Sequence, residues 1–248
     1  MEIKKHIPNI ITLINLFCGC IALVFIAHRE FEMAFLFVCL GIFFDFFDGF
    51  FARMFKVAGP LGVQLDSLAD MVTSGVVPGY AMYQLMLNAY GEEQVSFHNG
   101  VEASNLIPFL GFVITLGACF RLANFNIDTR QSDSFIGLPT PANTLFILSL
   151  PLILSNSGIY FIETNLQCIR VLLVITILSA YVMNAEIPLF SLKIKNFTFK
   201  KNALQIFFLV ISLLFLLLFK YLGFALVIVF YVLLSVVNNL FLKKKNNG

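Results

Sequence analysis

Tryptophan is absent from this 248-residue chain, and charged side chains make up only 12% of it. Without indoles, any interfacial aromatic belt must come from the seven Tyr and thirty Phe. The scarcity of charge, together with 59% hydrophobic residues and a mean hydropathy of +0.91, excludes a soluble globular domain and implies an integral membrane protein. Five cysteines (Cys18, Cys20, Cys39, Cys119, Cys168) fall in or beside apolar runs. Cys18-x-Cys20 has no His or second Cys pair beside it to complete a metal site, so the cysteines read as small buried residues and imply no disulfide framework. No small-residue cleavage site follows the first apolar run, which is therefore expected to stay as a membrane anchor. No repeat at a solenoid period is present. The net charge of +2 says little by its total, and no nucleic acid is expected as a partner.

Eight apolar runs are present, at about 10–27, 33–55, 62–90, 106–120, 144–161, 169–183, 203–219 and 224–242. Most reach the ~17–25 residues needed to span hydrocarbon. Lys and Arg concentrate in alternate connections: Lys4 and Lys5, Arg53 and Lys56, Arg121 and Arg130, Lys193 to Lys201, and Lys243 to Lys245. The other connections are acidic or nearly neutral apart from Arg29, Arg170 and Lys220. The positive-inside rule then puts both termini at the cytoplasmic face, and only an even count such as eight returns the C-terminal lysines there. The expected fold class is an all-α polytopic membrane protein with a six-helix core over 1–185. A basic connector and two further helices follow over 186–248.

What the apolar sequence does contain is acid at an unusual place. Residues 43–70 read FFDFFDGFFARMFKVAGPLGVQLDSLAD. An ionised side chain in a membrane span is costly, so Asp45, Asp48, Asp66 and Asp70 mark a functional site. Lys56, Gly59 and Pro60 form the strongest turn signal in the chain. With the two helices folded back about that turn, Asp48 lies about 10 Å and Asp66 about 8 Å below it at 1.5 Å per residue. Asp45 and Asp70 both lie roughly 14–15 Å down by the same rise. The four carboxylates are thus expected to meet across one helix pair, with Gly49, Ala52 and Gly62 on the same faces leaving room for a ligand. Four acids with only Arg53 close in sequence either take up protons or bind divalent ions. All-carboxylate ligation suits Mg²⁺ or Mn²⁺, and Ca²⁺ would also fit, whereas Zn²⁺ would not. An acid-only cluster holding two metal ions is a common clamp for phosphoryl transfer.

The spacing Asp45-x2-Asp48-Gly49-x2-Ala52-Arg53-x8-Gly62-x3-Asp66-x3-Asp70 resembles, at every position, the signature of the CDP-alcohol phosphotransferase family. The resemblance implies a six-helix catalytic core, divalent metal on Asp45, Asp48, Asp66 and Asp70 at the cytoplasmic membrane face, and Asp70 doubling as the base. It also implies that Gly49, Ala52, Arg53 and Gly62 lie by the CDP-lipid, and that the protein is a homodimer. Three further segments resemble the bacterial and archaeal phosphatidylserine synthase branch of that family. They are Ile7-Pro8-Asn9-x2-Thr12-x2-Asn15, Arg121 to Asn126, and Phe135-x-Gly137-Leu138-Pro139-Thr140-Pro141-Ala142. That branch commonly has Arg where this chain has Asn124. It implies phosphatidyl transfer from CDP-diacylglycerol to L-serine with release of CMP, in a bacterial cytoplasmic membrane.

Serine is a zwitterion whose carboxylate wants an Arg or Lys. Arg121, at the cytoplasmic end of the fourth run, is the candidate partner, with a positive-inside anchor as its other reading. Glycerol 3-phosphate or inositol phosphate as acceptor should need a denser basic pocket than Arg53, Lys56, Arg121 and Arg130 supply. A cation transporter would want acids at the midplane and broken helices in both halves, and no second acidic pair appears in the later runs. Asn9, Thr12 and Asn15 share one helical face, where they hydrogen-bond within the core or line the donor site.

Overall fold

The computed structural model describes residues 2–91, 106–128, 136–190 and 202–246. The acidic loop with Glu92, Glu93 and Glu102, Arg130, and the lysines from Lys193 to Lys201 lie outside the described residues. Among the described residues the fold is helical, and its only bridge joins Ile136 to Pro188. Helix α1 (Glu2–Ala27) is followed by α2 (Phe31–Met54) and α3 (Pro60–Asp70). A π-helical turn, Met71–Val76, links α3 to α4 (Val77–Ala89). A 3₁₀ segment, Ile107–Phe112, leads into α5 (Val113–Ile127). Helices α6 (Thr140–Asn156), α7 (Tyr160–Leu166) and α8 (Ile169–Asn184) come next, then α9 (Ala203–Phe219) and α10 (Tyr221–Asn246).

Four helices are long and apolar enough to cross a bilayer: His6–Ala27, Phe31–Met54, Ile107–Ile127 and Tyr221–Phe241. Tyr160–Leu166 and Ile169–Asn184, bent by 77°, make a fifth if the pair is one span. The chain is therefore an all-α, multi-pass membrane protein. The other runs behind the eight-span expectation fall on helices of a different kind. Helices α6 and α9 have 17 residues each, about 26 Å at the α-helical rise against ~30 Å of hydrocarbon. The polar residues of α3, the π turn and α4 lower the hydropathy of that segment. The run at 144–161 is divided, because α6 stops at Asn156 and Gly158 turns the chain with φ 63°.

The turn after α2 forms where Lys56, Gly59 and Pro60 predict it. The Val57 amide donates to the Ala52 carbonyl at 3.0 Å, and the Lys56 amide to the Arg53 carbonyl at 3.1 Å. That is a Schellman closure, with Lys56 itself at φ 56° where glycine is usual. Gly59 then caps α3 and Pro60 opens it, a position where the missing N–H is harmless.

Helix α1 packs along α2 and also against α3 and the π turn. The expected two-helix hairpin is thus a three-helix cup, with α1 as its third wall. Small residues allow the approach: a Cβ on Gly41 would lie 2.9 Å from Asn15 Oδ1 and 3.0 Å from Thr73 Cγ2. Helix α6 lies centrally, touching α2, α4 and α10, and α5 packs on α8. The hairpin α9–α10 docks through Tyr231, whose hydroxyl donates to the Phe190 carbonyl at 2.9 Å, and through rings of Phe190, Phe208 and Tyr231.

Candidate active site

The inward stripe of α2 carries its apolar members at Ala34, Val38 and Gly41, and the same 3–4 spacing continues to Asp45 and Asp48. Helical periodicity therefore turns these two acids into the bundle. On α3, Gly62, Asp66 and Asp70 repeat at intervals of four and share one face. Asp45, Asp48 and Asp66 each bring a carboxylate oxygen within 4.8 Å of the others. Asp70 stands outside that set of three but within electrostatic range of all of them. Its Oδ1 accepts from Asn15 Nδ2 at 3.3 Å.

Two members of the α1 face complete the cup. The Thr12 hydroxyl donates a short hydrogen bond to Asp48 Oδ2, and Asn15 holds Asp70. Asn9 lines the adjoining cavity. Sequence reading left these residues between a core role and a donor-site role. Their spacing put them on one face but could not say which acids, 36 and 55 residues away, that face would meet.

The donor set passes a direct test for divalent metal. Three carboxylates converge with no basic side chain among them, and Asp45 Oδ1 is buried without a hydrogen-bond partner. A buried acceptor left unmade is expensive, and like charges this close repel. A cation bound between the helices answers both, and oxygen-only ligation suits hard ions. Thr12 then acts as an outer partner that fixes the Asp48 carboxylate. Thr12→Val is expected to raise the Mg²⁺ concentration for half-maximal activity by about 10–100-fold. The check is a metal titration of the purified variant at saturating lipid.

Beside the carboxylates lies a cavity of about 190 Å³ lined by Thr12, Asp48, Gly49, Ala52, Arg53, Gly62 and Asp66 among others. Small residues keep it open. A Cβ on Gly49 would lie 3.6 Å from Arg53 Nη1, and one on Gly62 would lie 3.6 Å from Asn9 Oδ1. Arg53 is the cation of this cavity. Gly49, Ala52, Arg53 and Gly62 are therefore brought together with two of the acids.

Immediately after Asp70 the chain widens into the π turn, a feature the sequence reading did not anticipate. Pro78 is its cause in part. Proline has no N–H, so the Ser74 carbonyl loses its α-helical donor. Thr144 on α6 supplies the replacement, its hydroxyl donating to Ser74 O at 3.1 Å, and Thr115 on α5 donates to Gly75 O at 2.9 Å. Thr73 donates to the Asn15 carbonyl at 3.2 Å. The floor of the cup is thus tied to α1, α5 and α6. Asn126 adds a tie at the rim, donating to Ser67 Oγ at 2.8 Å beside Asp66.

Arg121 does not line the carboxylate cavity. It is buried, and its Nη1 donates to the Ile136 carbonyl at 2.8 Å and the Met183 carbonyl at 3.1 Å. These bonds stitch the loop before α6 to the end of α8. Gly137 completes the stitch at φ 73°, with its amide donating to Ile187 O at 2.9 Å. Arg121 also lines a separate cavity of about 330 Å³ with Asn124, Asp128, Asn184 and Glu186. Two carbonyls do not exhaust the five donors of a guanidinium.

A helical membrane protein with clustered aspartates beside a small-residue cavity is the setting in which the sequence comparisons fall. The CDP-alcohol phosphatidyltransferase family profile matches residues 5–182, and the chain belongs to that family. A relative in Bacillus subtilis, named CDP-diacylglycerol–serine O-phosphatidyltransferase, is 34% identical over 141 residues, covering 55% of this chain and 70% of the relative. One of the same name in Helicobacter pylori is 29% identical over 206 residues, covering 82% and 78%. Another in Methanocaldococcus jannaschii is 29% identical over 170 residues, covering 68% and 71%.

Proposed function

We propose that this protein transfers a phosphatidyl group from CDP-diacylglycerol to the hydroxyl of L-serine, giving phosphatidylserine and CMP. The observation that carries the chemistry is the convergence of Asp45, Asp48 and Asp66 beside the cavity that holds Arg53. The names of the relatives carry the acceptor.

On this reading Asp45, Asp48 and Asp66 hold Mg²⁺ or Mn²⁺, with Asp70 at the margin of the set. Bound there, the metal would neutralise the diphosphate and make CMP a better leaving group. Arg53 faces the diphosphate, and Gly49, Ala52 and Gly62 leave room for the nucleotide end of the lipid. Asp70 takes the proton from the serine hydroxyl. The serine oxygen then bonds to the lipid-side phosphorus as the bond from that phosphorus to the CMP oxygen breaks. Asn15 holds one oxygen of Asp70, leaving the other to act as base. Arg121 receives the serine carboxylate at the second cavity. The positive-inside pattern supports a site at the cytoplasmic face of a bacterial cytoplasmic membrane. Residues 1–185 are then the catalytic core, and 186–248 a connector with two helices that dock on it. A homodimer belongs to the same reading through the family resemblance alone.

CMP release measured in parallel with serine, glycerol 3-phosphate and inositol phosphate tests the acceptor. Serine alone should support turnover, and faster turnover with either phosphate would overturn the assignment. Arg121→Lys keeps the charge but loses the planar fork. It is expected to raise the apparent KM for serine about tenfold, the size of one charge-assisted hydrogen bond, with little change for CDP-lipid. Equal effects on both substrates would count against the pairing.

A further inference from the structure

Helix α6 forms the floor, and α8 and α10 the walls, of a groove of about 330 Å³ that shares no lining residue with either cavity described above. Phe146, Ile175, Val182, Ile228 and Val232 make it apolar, and no charged side chain lines it. One lining residue breaks the pattern. Asn143 is fully buried, its Oδ1 accepts from the Ser179 hydroxyl, and its Nδ2 has no hydrogen-bond partner among the described residues. An amide donor left unpaired in hydrocarbon is costly, so an acceptor should come from whatever fills the groove.

We propose that the groove holds one acyl arm of a bilayer diacyl lipid, with the ester carbonyl accepting from Asn143 Nδ2. The walls suit an alkyl chain and offer nothing to a charged head group. Depth supports the match. Asn143 lies one turn into α6, about 5 Å from its start at the α-helical rise, next to Thr144, which bonds the floor of the carboxylate cup. Ester carbonyls are the acceptors a bilayer supplies at the edge of its hydrocarbon. The last helix thereby gains a task, because α10 contributes Ile228 and Val232 to one wall. This site stands whether or not serine is the acceptor.

The test uses the full-length protein purified in detergent and delipidated. Dioleoyl phosphatidylcholine is compared with its dialkyl ether analogue, which has the same head group and chain length but no carbonyl. At about a hundredfold excess over Kd, the ester lipid should raise the thermal midpoint by roughly 5 °C or more, and the ether lipid by clearly less. Asn143→Leu should erase the difference between the two. Because Asn143 is buried and that variant could fail to fold, a second variant uses Val229, 44% exposed at the groove edge. Val229→Trp fills the groove and should abolish both shifts while leaving CMP release unchanged. Equal shifts for ester and ether lipid in the wild type, as a water molecule on Asn143 would give, would overturn the proposal. So would a full lipid shift in Val229→Trp.

Discussion

Asp66→Asn is expected to lose about 10³-fold or more in CMP release at saturating Mg²⁺, within the range that removal of one preorganised electrostatic group produces at a reacting centre. Asp66 is the α3 member of the three-carboxylate set, and no other α3 oxygen stands in that set. The amide keeps the shape and one oxygen but removes a negative charge, so the remaining pair on α2 must hold the cation from one side. Mn²⁺ binding followed by electron paramagnetic resonance should weaken in parallel. The same substitution should have the opposite effect on the metal-free protein. Three like charges held within 4.8 Å repel, and neutralising one relieves that repulsion. The thermal midpoint in chelator should therefore rise, by about 3 °C for each kcal/mol relieved. A variant that is active within tenfold of the wild type, or that binds Mn²⁺ normally, would remove Asp66 from the metal set.

Much of this site could be read from local spacing. Asp45 and Asp48 continue the 3–4 stripe of Ala34, Val38 and Gly41, so their inward aim follows from periodicity alone. Asp66 and Asp70 follow Gly62 by the same logic, and Pro60 with Gly59 marks where the chain must reverse. What local spacing cannot supply is the partner of a face. Thr12 and Asn15 reach their carboxylates only because α1 wedges against α2 and α3, and that wedge depends on side chains missing at Gly19 and Gly41. The π turn had a readable cause in Pro78, but the hydroxyls that make it tolerable come from Thr115 and Thr144 on other helices. Arg121 shows the same limit. Its position at a helix end was visible, whereas its bonds to Ile136 and Met183 depend on a loop that folds back over it.

Asp70→Asn separates the chemical step from the ligand set. Asp70 lies apart from the three converging carboxylates, with one oxygen held by Asn15. If its second oxygen takes the acceptor proton, the amide variant loses general-base catalysis, about 10²–10⁴-fold in kcat. The Asn15 contact survives, because an amide oxygen accepts from Asn15 Nδ2 as a carboxylate does. CDP-lipid binding should therefore stay within a few-fold of the wild type, and Mn²⁺ affinity should fall less than in Asp66→Asn. Both binding measurements are needed, since a ligand that does not act as base would lower turnover and metal affinity together. Turnover within tenfold of the wild type would transfer the base role to another group. Loss of Mn²⁺ binding as severe as in Asp66→Asn would make Asp70 a fourth ligand rather than the proton acceptor.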